Sequence, residues 1–262
     1  MRNIKLILAY DGTDFSGWQR QPSLPTVQEC VENAVKRVTG FQSIIYGSGR
    51  TDAGVHAAAQ VANFKTDCPI PCPNLVKALN DALPPTVRIK AASDAALDFH
   101  ARYRAKSKVY RYRILQSSIC SPFLSRFVYH YTYPLDHRAM ARAARLFEGK
   151  HEFTSFAAVG EEQEARSQKS ETGIAEVEGS EMVREIFSSR ITRRRELALL
   201  IYDVRGSGFL HHMVRNIVGT LLEVGRGKLA PEDIVRILEA RDRAAAGPTA
   251  PAQGLCLMKV DY

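Results

Sequence analysis

Ile44-Ile45-Tyr46-Gly47-Ser48-Gly49-Arg50-Thr51-Asp52-Ala53-Gly54-Val55-His56-Ala57 reads as an apolar strand running into a turn of small residues, and Gln60-Val61-Ala62-Asn63-Phe64 reads as the strand that follows. The turn carries one acid, Asp52, with Arg50 before it and His56 after it. Glycines on both sides allow a sharp bend and a close ligand, and small neighbours leave the carboxylate reachable. Asp also caps turns through its own backbone, so the local sequence alone leaves two readings of Asp52 open.

Outward from this turn the first hundred residues read strand, helix, strand, strand, helix, strand. Ile4 to Tyr10 alternates as a strand. Thr26-Val27-Gln28-Glu29 has the form of a capping box, opening a helix with Val27, Cys30, Val31, Ala34, Val35 and Val38 on one face. Residues 73–80 form a second helix with Pro73 in its first turn, Pro84-Pro85 ends it, and Val87 begins another strand. The second half repeats the plan: a strand over 108–115, a helix over 136–147, strands over 183–192 and 197–204, helices over 209–223 and 231–240, and a last strand over 255–260. The expected fold is α+β, two βαββαβ (ferredoxin-like) halves whose antiparallel sheets form a central cleft, with helices on the outer face. The expected domains are 1–105, carrying Asp52, and 106–262, with a polar insertion near 159–181.

The chain has 36 Lys and Arg against 28 Asp and Glu, a formal charge of +8, which points to a polyanionic partner. Arg102, Arg104, Lys106, Lys108, Arg111 and Arg113 alternate with Tyr103, Tyr110 and Tyr112. Read as a strand, this run puts Arg104, Lys106, Lys108, Tyr110 and Tyr112 on one face, which suits a phosphate backbone and a stacked base. The competing reading is a solvated edge strand whose lysines prevent aggregation. Arg20, His211 and His212 join Arg104, Lys106 and Lys108 as candidate RNA contacts. One histidine of the 211–212 pair is expected to face the core and the other the RNA groove or solvent.

Five cysteines, no leader-like start and no apolar run near the roughly 20 residues needed to span a bilayer point to a reduced, cytoplasmic protein with no membrane association. No second Cys or His pair has zinc-like spacing beside Cys68 and Cys72, so no metal is expected. Gly206-Ser207-Gly208-Phe209 lacks a nucleophile-elbow pattern, which counts against a hydrolase built on the histidines.

Four segments together resemble the tRNA pseudouridine synthase A family. Residues 49–57, Gly-Arg-Thr-Asp-Ala-Gly-Val-His-Ala, match its catalytic motif, and residues 9–19, from Ala9 through Trp18 and Gln19, match its N-terminal signature. Lys108-Val109-Tyr110-Arg111-Tyr112 matches the segment bearing its active-site tyrosine. Phe209 through Gly225 matches its C-terminal helix, with Arg215 expected in the second turn, and Gly254-Leu255 matches its last strand. The segment from Gln163 to Glu181 looks longer than the family's.

The resemblance implies isomerisation of uridine to pseudouridine in the tRNA anticodon arm, at positions 38 to 40. The N1–C1′ bond breaks, the uracil turns, and C5 joins C1′, so no cofactor or metal is needed. Asp52 would be the nucleophile, or a base toward the ribose, and Arg215 the cation that keeps it ionised against desolvation. Tyr110 would stack on the uracil, with a part in removing the C5 proton, and Leu255 would pack on the other side. Arg50 would fill the space left by the flipped nucleotide. A homodimer is also implied. The rival reading is a non-catalytic RNA-binding module, which gives no reason for a carboxylate at the centre of a basic surface.

Overall fold

The computed structural model describes residues 1–158 and 182–262; the polar segment 159–181 read as an insertion lies outside the described residues. The fold is α+β with mostly antiparallel strand pairing. Contacts divide the chain into two units, Met1–Tyr110 with Ala252–Tyr262, and Arg111–Pro251.

In the first unit the order is β1 (Arg2–Tyr10), α1 (Val27–Thr39), β2 (Tyr46–Gly47), β3 (His56–Thr66), α2 (Cys72–Ala82) and β4 (Val87–Ala95). β1 lies between β3 and β4 and pairs antiparallel with both, from Ile4↔Phe64 on one side to Ile4↔Asp94 on the other. Alternate residues Ile4, Leu6 and Leu8 are fully buried, which is why the period-2 pattern of this strand is readable. β2 pairs with β3 at Tyr46↔Asn63 and Gly47↔Ala62, so residues 48–55 form the loop between them. The last strand, β10 (Leu255–Asp261), returns to this unit and runs parallel to β3 at Cys256↔His56 and Leu257↔Ala57. The division between units falls within β5 (Ser107–Leu115).

Three expectations are corrected here. The capping box does not form: Thr26 makes no side-chain cap bond, and its buried hydroxyl has no hydrogen-bond partner. The donors at the start of α1 go instead to main-chain carbonyls, Val27 N–H to Gly17 and Gln28 N–H to Trp18. A neighbouring loop has replaced the side-chain cap. The basic run is not one strand either. β5 begins at Ser107, Arg104 and Lys106 lie before it, and Arg104 pairs with Asp98. Within β5 the face with Tyr110, Tyr112 and Ile114 is buried, so it is a core face rather than a bare cationic one.

In the second unit β5 is followed by β6 (Tyr129–His130), α3 (His137–Arg145), β7 (Gly149–Glu152), β8 (Val183–Arg194), β9 (Leu199–Gly206), α4 (Met213–Gly225) and α5 (Asp233–Ala240). β7, β8 and β9 pair antiparallel in that order. Asp136 caps α3 by accepting from the Arg138 and Ala139 N–H groups. The helix read from Phe209 starts four residues later, at Met213. His212 takes a left-handed conformation (φ 61°), which helical backbone excludes, so Arg215 sits in the first turn rather than the second.

Candidate active site

The loop that carries Asp52 is held from below by the end of β1 and the residues after it. Trp18 N–H donates to Thr51 O at 3.0 Å, and Gly54 N–H donates to Phe15 O at 3.2 Å. These contacts require glycine at two places. A Cβ on Gly12 would stand 2.0 Å from Val55 O, and one on Gly17, at φ +93°, 2.6 Å from Thr51 O. The turn itself closes through main chain, Val55 N–H to Asp52 O at 3.1 Å. The Asp52 side chain is half-buried, neither sealed off nor fully solvated.

Side chains complete the clamp. Tyr10 and Thr51 share a hydrogen bond between hydroxyls at 2.8 Å. Gln60, fully buried on β3, donates through Nε2 to Gly49 O at 2.9 Å and accepts from Ser48 Oγ at 2.6 Å. His56 Nδ1 lies 3.0 Å from Gly12 N and 3.2 Å from Asp11 Oδ1, while Nε2 is hydrogen-bonded to Gln253 O at 3.2 Å. That second bond anchors the turn leading into β10 and so fixes where Leu255 begins its strand.

Tyr110 and Leu255 both belong to this unit and are buried. Burial pushes the Tyr110 phenol above its ordinary range, and the nearby Tyr10, Asp52 and Cys256 charges push it the same way. The phenol is therefore protonated, and it feels the Asp52 carboxylate. Leu255 sits one residue before the Cys256↔His56 pairing, at the mouth of the strand beside β3. Lys108 lies across Gly49, whose Cβ would stand 2.8 Å from the ammonium. Arg50 is exposed. The first unit thus gathers Asp52, Tyr110, Leu255, Arg50 and Lys108 around one loop.

The other candidates are placed differently. Arg20 is exposed and bonds the buried Glu32 at 3.4 Å. Lys106 is exposed. Arg215, His211 and His212 belong to the second unit. Arg215 is half-buried, and its Nε donates to Ala250 O at 2.8 Å, which fixes the side chain against the loop before β10. His211 is exposed and His212 half-buried, their rings 4.0 Å apart. The glycine-led turn and the left-handed His212 hold the pair outside the helix.

Sequence reading missed Tyr10, Gln60 and His56 as supports of the loop. Their signal was present in part: Gln60 and Asn63 are polar residues on a strand whose neighbours are nearly all apolar.

The family model described as tRNA pseudouridine synthase matches residues 6–104 and 143–262. The chain belongs to this family. It is similar along its whole length to proteins named tRNA pseudouridine synthase A: 49% identical over 262 residues to that of Solibacter usitatus and 43% to that of Acetivibrio thermocellus, each covering all of both chains. The relative from Moorella thermoacetica is 44% identical and covers 99% of each.

Proposed function

We propose that this chain converts uridine to pseudouridine in the anticodon arm of tRNA, at positions 38 to 40, with Asp52 as the reacting carboxylate. Family membership over nearly the whole chain supports the reaction. The single observation that supports the assignment of Asp52 is its loop, clamped by main chain on one side and by Gln60 and Tyr10 on the other, with a buried tyrosine beside it. A preorganised carboxylate next to an apolar, aromatic wall suits a base turned out of its stack.

In this reading Asp52 acts as nucleophile or as base toward the ribose. The glycosidic electron pair leaves with N1, the uracil rotates, C5 bonds to C1′, and the C5 proton is lost as N1 gains one. Tyr110 supplies the stacking face and a hydroxyl donor. Its raised pKa makes a phenolate base the less favourable way to remove the C5 proton. Leu255 packs against the base, and Arg50 takes the vacated place in the stack. Arg215 is proposed as the cation that keeps Asp52 ionised, a role resting on the family resemblance. Arg20, Arg104, Lys106, Lys108, His211 and His212 are proposed to meet the RNA. So are a division at residues 105 and 106, two ferredoxin-like halves forming an RNA cleft, a homodimer, cytoplasmic location and independence of cofactors. Among the described residues no helix is long and apolar enough to cross a membrane.

The test is incubation of the purified chain with an unmodified tRNA transcript, followed by mapping of pseudouridine. Product in the anticodon arm supports the proposal, and no product with any tRNA of the source cell contradicts it.

A further inference from the structure

Three aromatic rings of the first unit line up on its surface. Tyr46, in β2, lies 4.9 Å from the His100 ring, and His100 lies 4.3 Å from Tyr103, centroid to centroid. The two outer rings are well exposed, Tyr46 at 43% and Tyr103 at 63%. The Arg102 guanidinium stands 6.0 Å from the Tyr103 centroid. A row of solvent-facing rings next to cations is costly in a protein that has no use for it.

The backbone beneath the rings is fixed independently of them. Buried Asn3 and Asn63 both donate to Phe99 O, at 2.9 and 3.3 Å, and Asn63 Oδ1 accepts from Ala101 N–H at 2.8 Å. Tyr262 OH donates to Ala101 O at 2.8 Å. Asn63 is also the register partner of Tyr46, so one residue of β3 underlies both the β2 ring and the turn that bears the other two. His100 is oriented by Arg102 N–H donating to its Nδ1 at 3.2 Å. Burial and the Arg102 charge both lower its pKa, so the ring is neutral near pH 7 and presents an uncharged face. The rings are thus presented on a scaffold that does not need their contacts to hold its shape.

We infer that Tyr46, His100 and Tyr103 form a stacking platform for an unpaired base of the RNA substrate, other than the uridine that reacts at Asp52. The inference rests on the tRNA reading above. Aromatic faces accept any base, and the flanking Arg102 suits the neighbouring phosphate. The platform leads directly along the chain into the catalytic loop, since Tyr46 precedes Gly47 and Ser48, the latter gripped by Gln60. A base held there would anchor the RNA beside the segment that carries Asp52.

The test compares the wild type with Tyr103→Ala, Tyr103→Leu, Tyr103→Phe and the double variant Tyr46→Ala/Tyr103→Ala, each checked for an unchanged melting temperature. Filter binding to a tRNA transcript gives Kd over a salt series, and initial rates give KM. Loss of one stack is expected to raise Kd and KM about tenfold in the Ala and Leu variants, with the rate recovered at saturating tRNA. Tyr103→Phe should stay within about twofold of wild type, and the salt slope should not change, because no phosphate contact is lost. Wild-type Kd and KM in the folded double variant overturn the platform, and so does full affinity in Tyr103→Leu, which keeps bulk without a ring. A wild type that binds tRNA but makes no pseudouridine counts against the function alone, and the Kd comparison still decides the platform.

Discussion

Tyr10 and Thr51 meet hydroxyl to hydroxyl at 2.8 Å in the interior, one residue before Asp52. This bond joins the end of β1 to the loop that carries Asp52, and Tyr10 also bonds Gln60, which holds the other arm of the loop. Removing the phenol oxygen leaves Thr51 without that partner. Tyr10→Phe is expected to cost about 1–2 kcal/mol of stability, a fall of roughly 2–6 °C in melting temperature. The turnover number should fall further than the melting temperature explains, because the loop loses a restraint beside Asp52, the proposed reacting group. Thermal denaturation and steady-state kinetics on the same preparation check this; wild-type turnover in a destabilised variant contradicts it.

Gly17 allows the loop after β1 to lie against Thr51, at a left-handed φ and a distance no side chain tolerates. Gly17→Ala must displace one of the two loops. A shift of about 1 Å at Asp52 is expected to lower kcat on the order of a hundredfold, with a smaller effect on tRNA affinity. Equal losses in kcat and affinity would indicate general unfolding instead, which circular dichroism separates.

Six tyrosines, Tyr10, Tyr110, Tyr112, Tyr131, Tyr202 and Tyr262, have phenols raised above the ordinary value of 10.0, in each case chiefly by burial. The folded state therefore keeps protons that the unfolded state gives up above pH 10. Their contribution to stability is complete below that pH and is lost as pH rises toward the folded values. Stability should begin to fall near pH 9, where the Cys30 thiol, pushed up from 9.0 to about 11 by burial, starts to contribute, and fall more steeply above pH 10, by up to about 1.4 kcal/mol per pH unit for each group involved. Tyr202→Phe should make the alkaline fall shallower. Denaturant midpoints from pH 8 to 11.5 give the slope, and an unchanged slope in Tyr202→Phe contradicts the assignment.

Most elements were legible because their burial follows a simple period. β1 alternates, and α1 keeps one apolar stripe. The Asp52 loop was legible because glycine is hard to place anywhere but a turn or a close approach. What escaped is what depends on residues far apart in sequence. Nothing near Thr26 shows that carbonyls of Gly17 and Trp18 will reach the start of α1 and displace its side-chain cap. The parallel pairing of β10 with β3, joining residues two hundred positions apart, has no local signature. β3 is covered on both faces, so Gln60 and Asn63, which point to opposite sides of the strand, are both buried and hydrogen-bonded, and nothing in the local sequence shows this.

Trp18, the only tryptophan, is buried with its indole against Gly47, where a Cβ would stand 2.5 Å from the ring. Its emission therefore reports on the arm of the loop that carries Asp52. Gly47→Ala should push the indole toward solvent and shift native emission to longer wavelength, with a parallel loss of activity. An unshifted spectrum in a folded variant contradicts the packing described here.

The most direct test of the central claim is pseudouridine formation by Asp52→Asn, measured as single-turnover conversion of a tRNA anticodon arm at saturating enzyme. The substitution keeps the shape of the side chain and removes its charge and basicity. The variant is expected to fold, to bind tRNA with wild-type affinity and salt dependence, and to make no detectable pseudouridine. Conversion by Asp52→Asn at a rate within tenfold of wild type would contradict that claim.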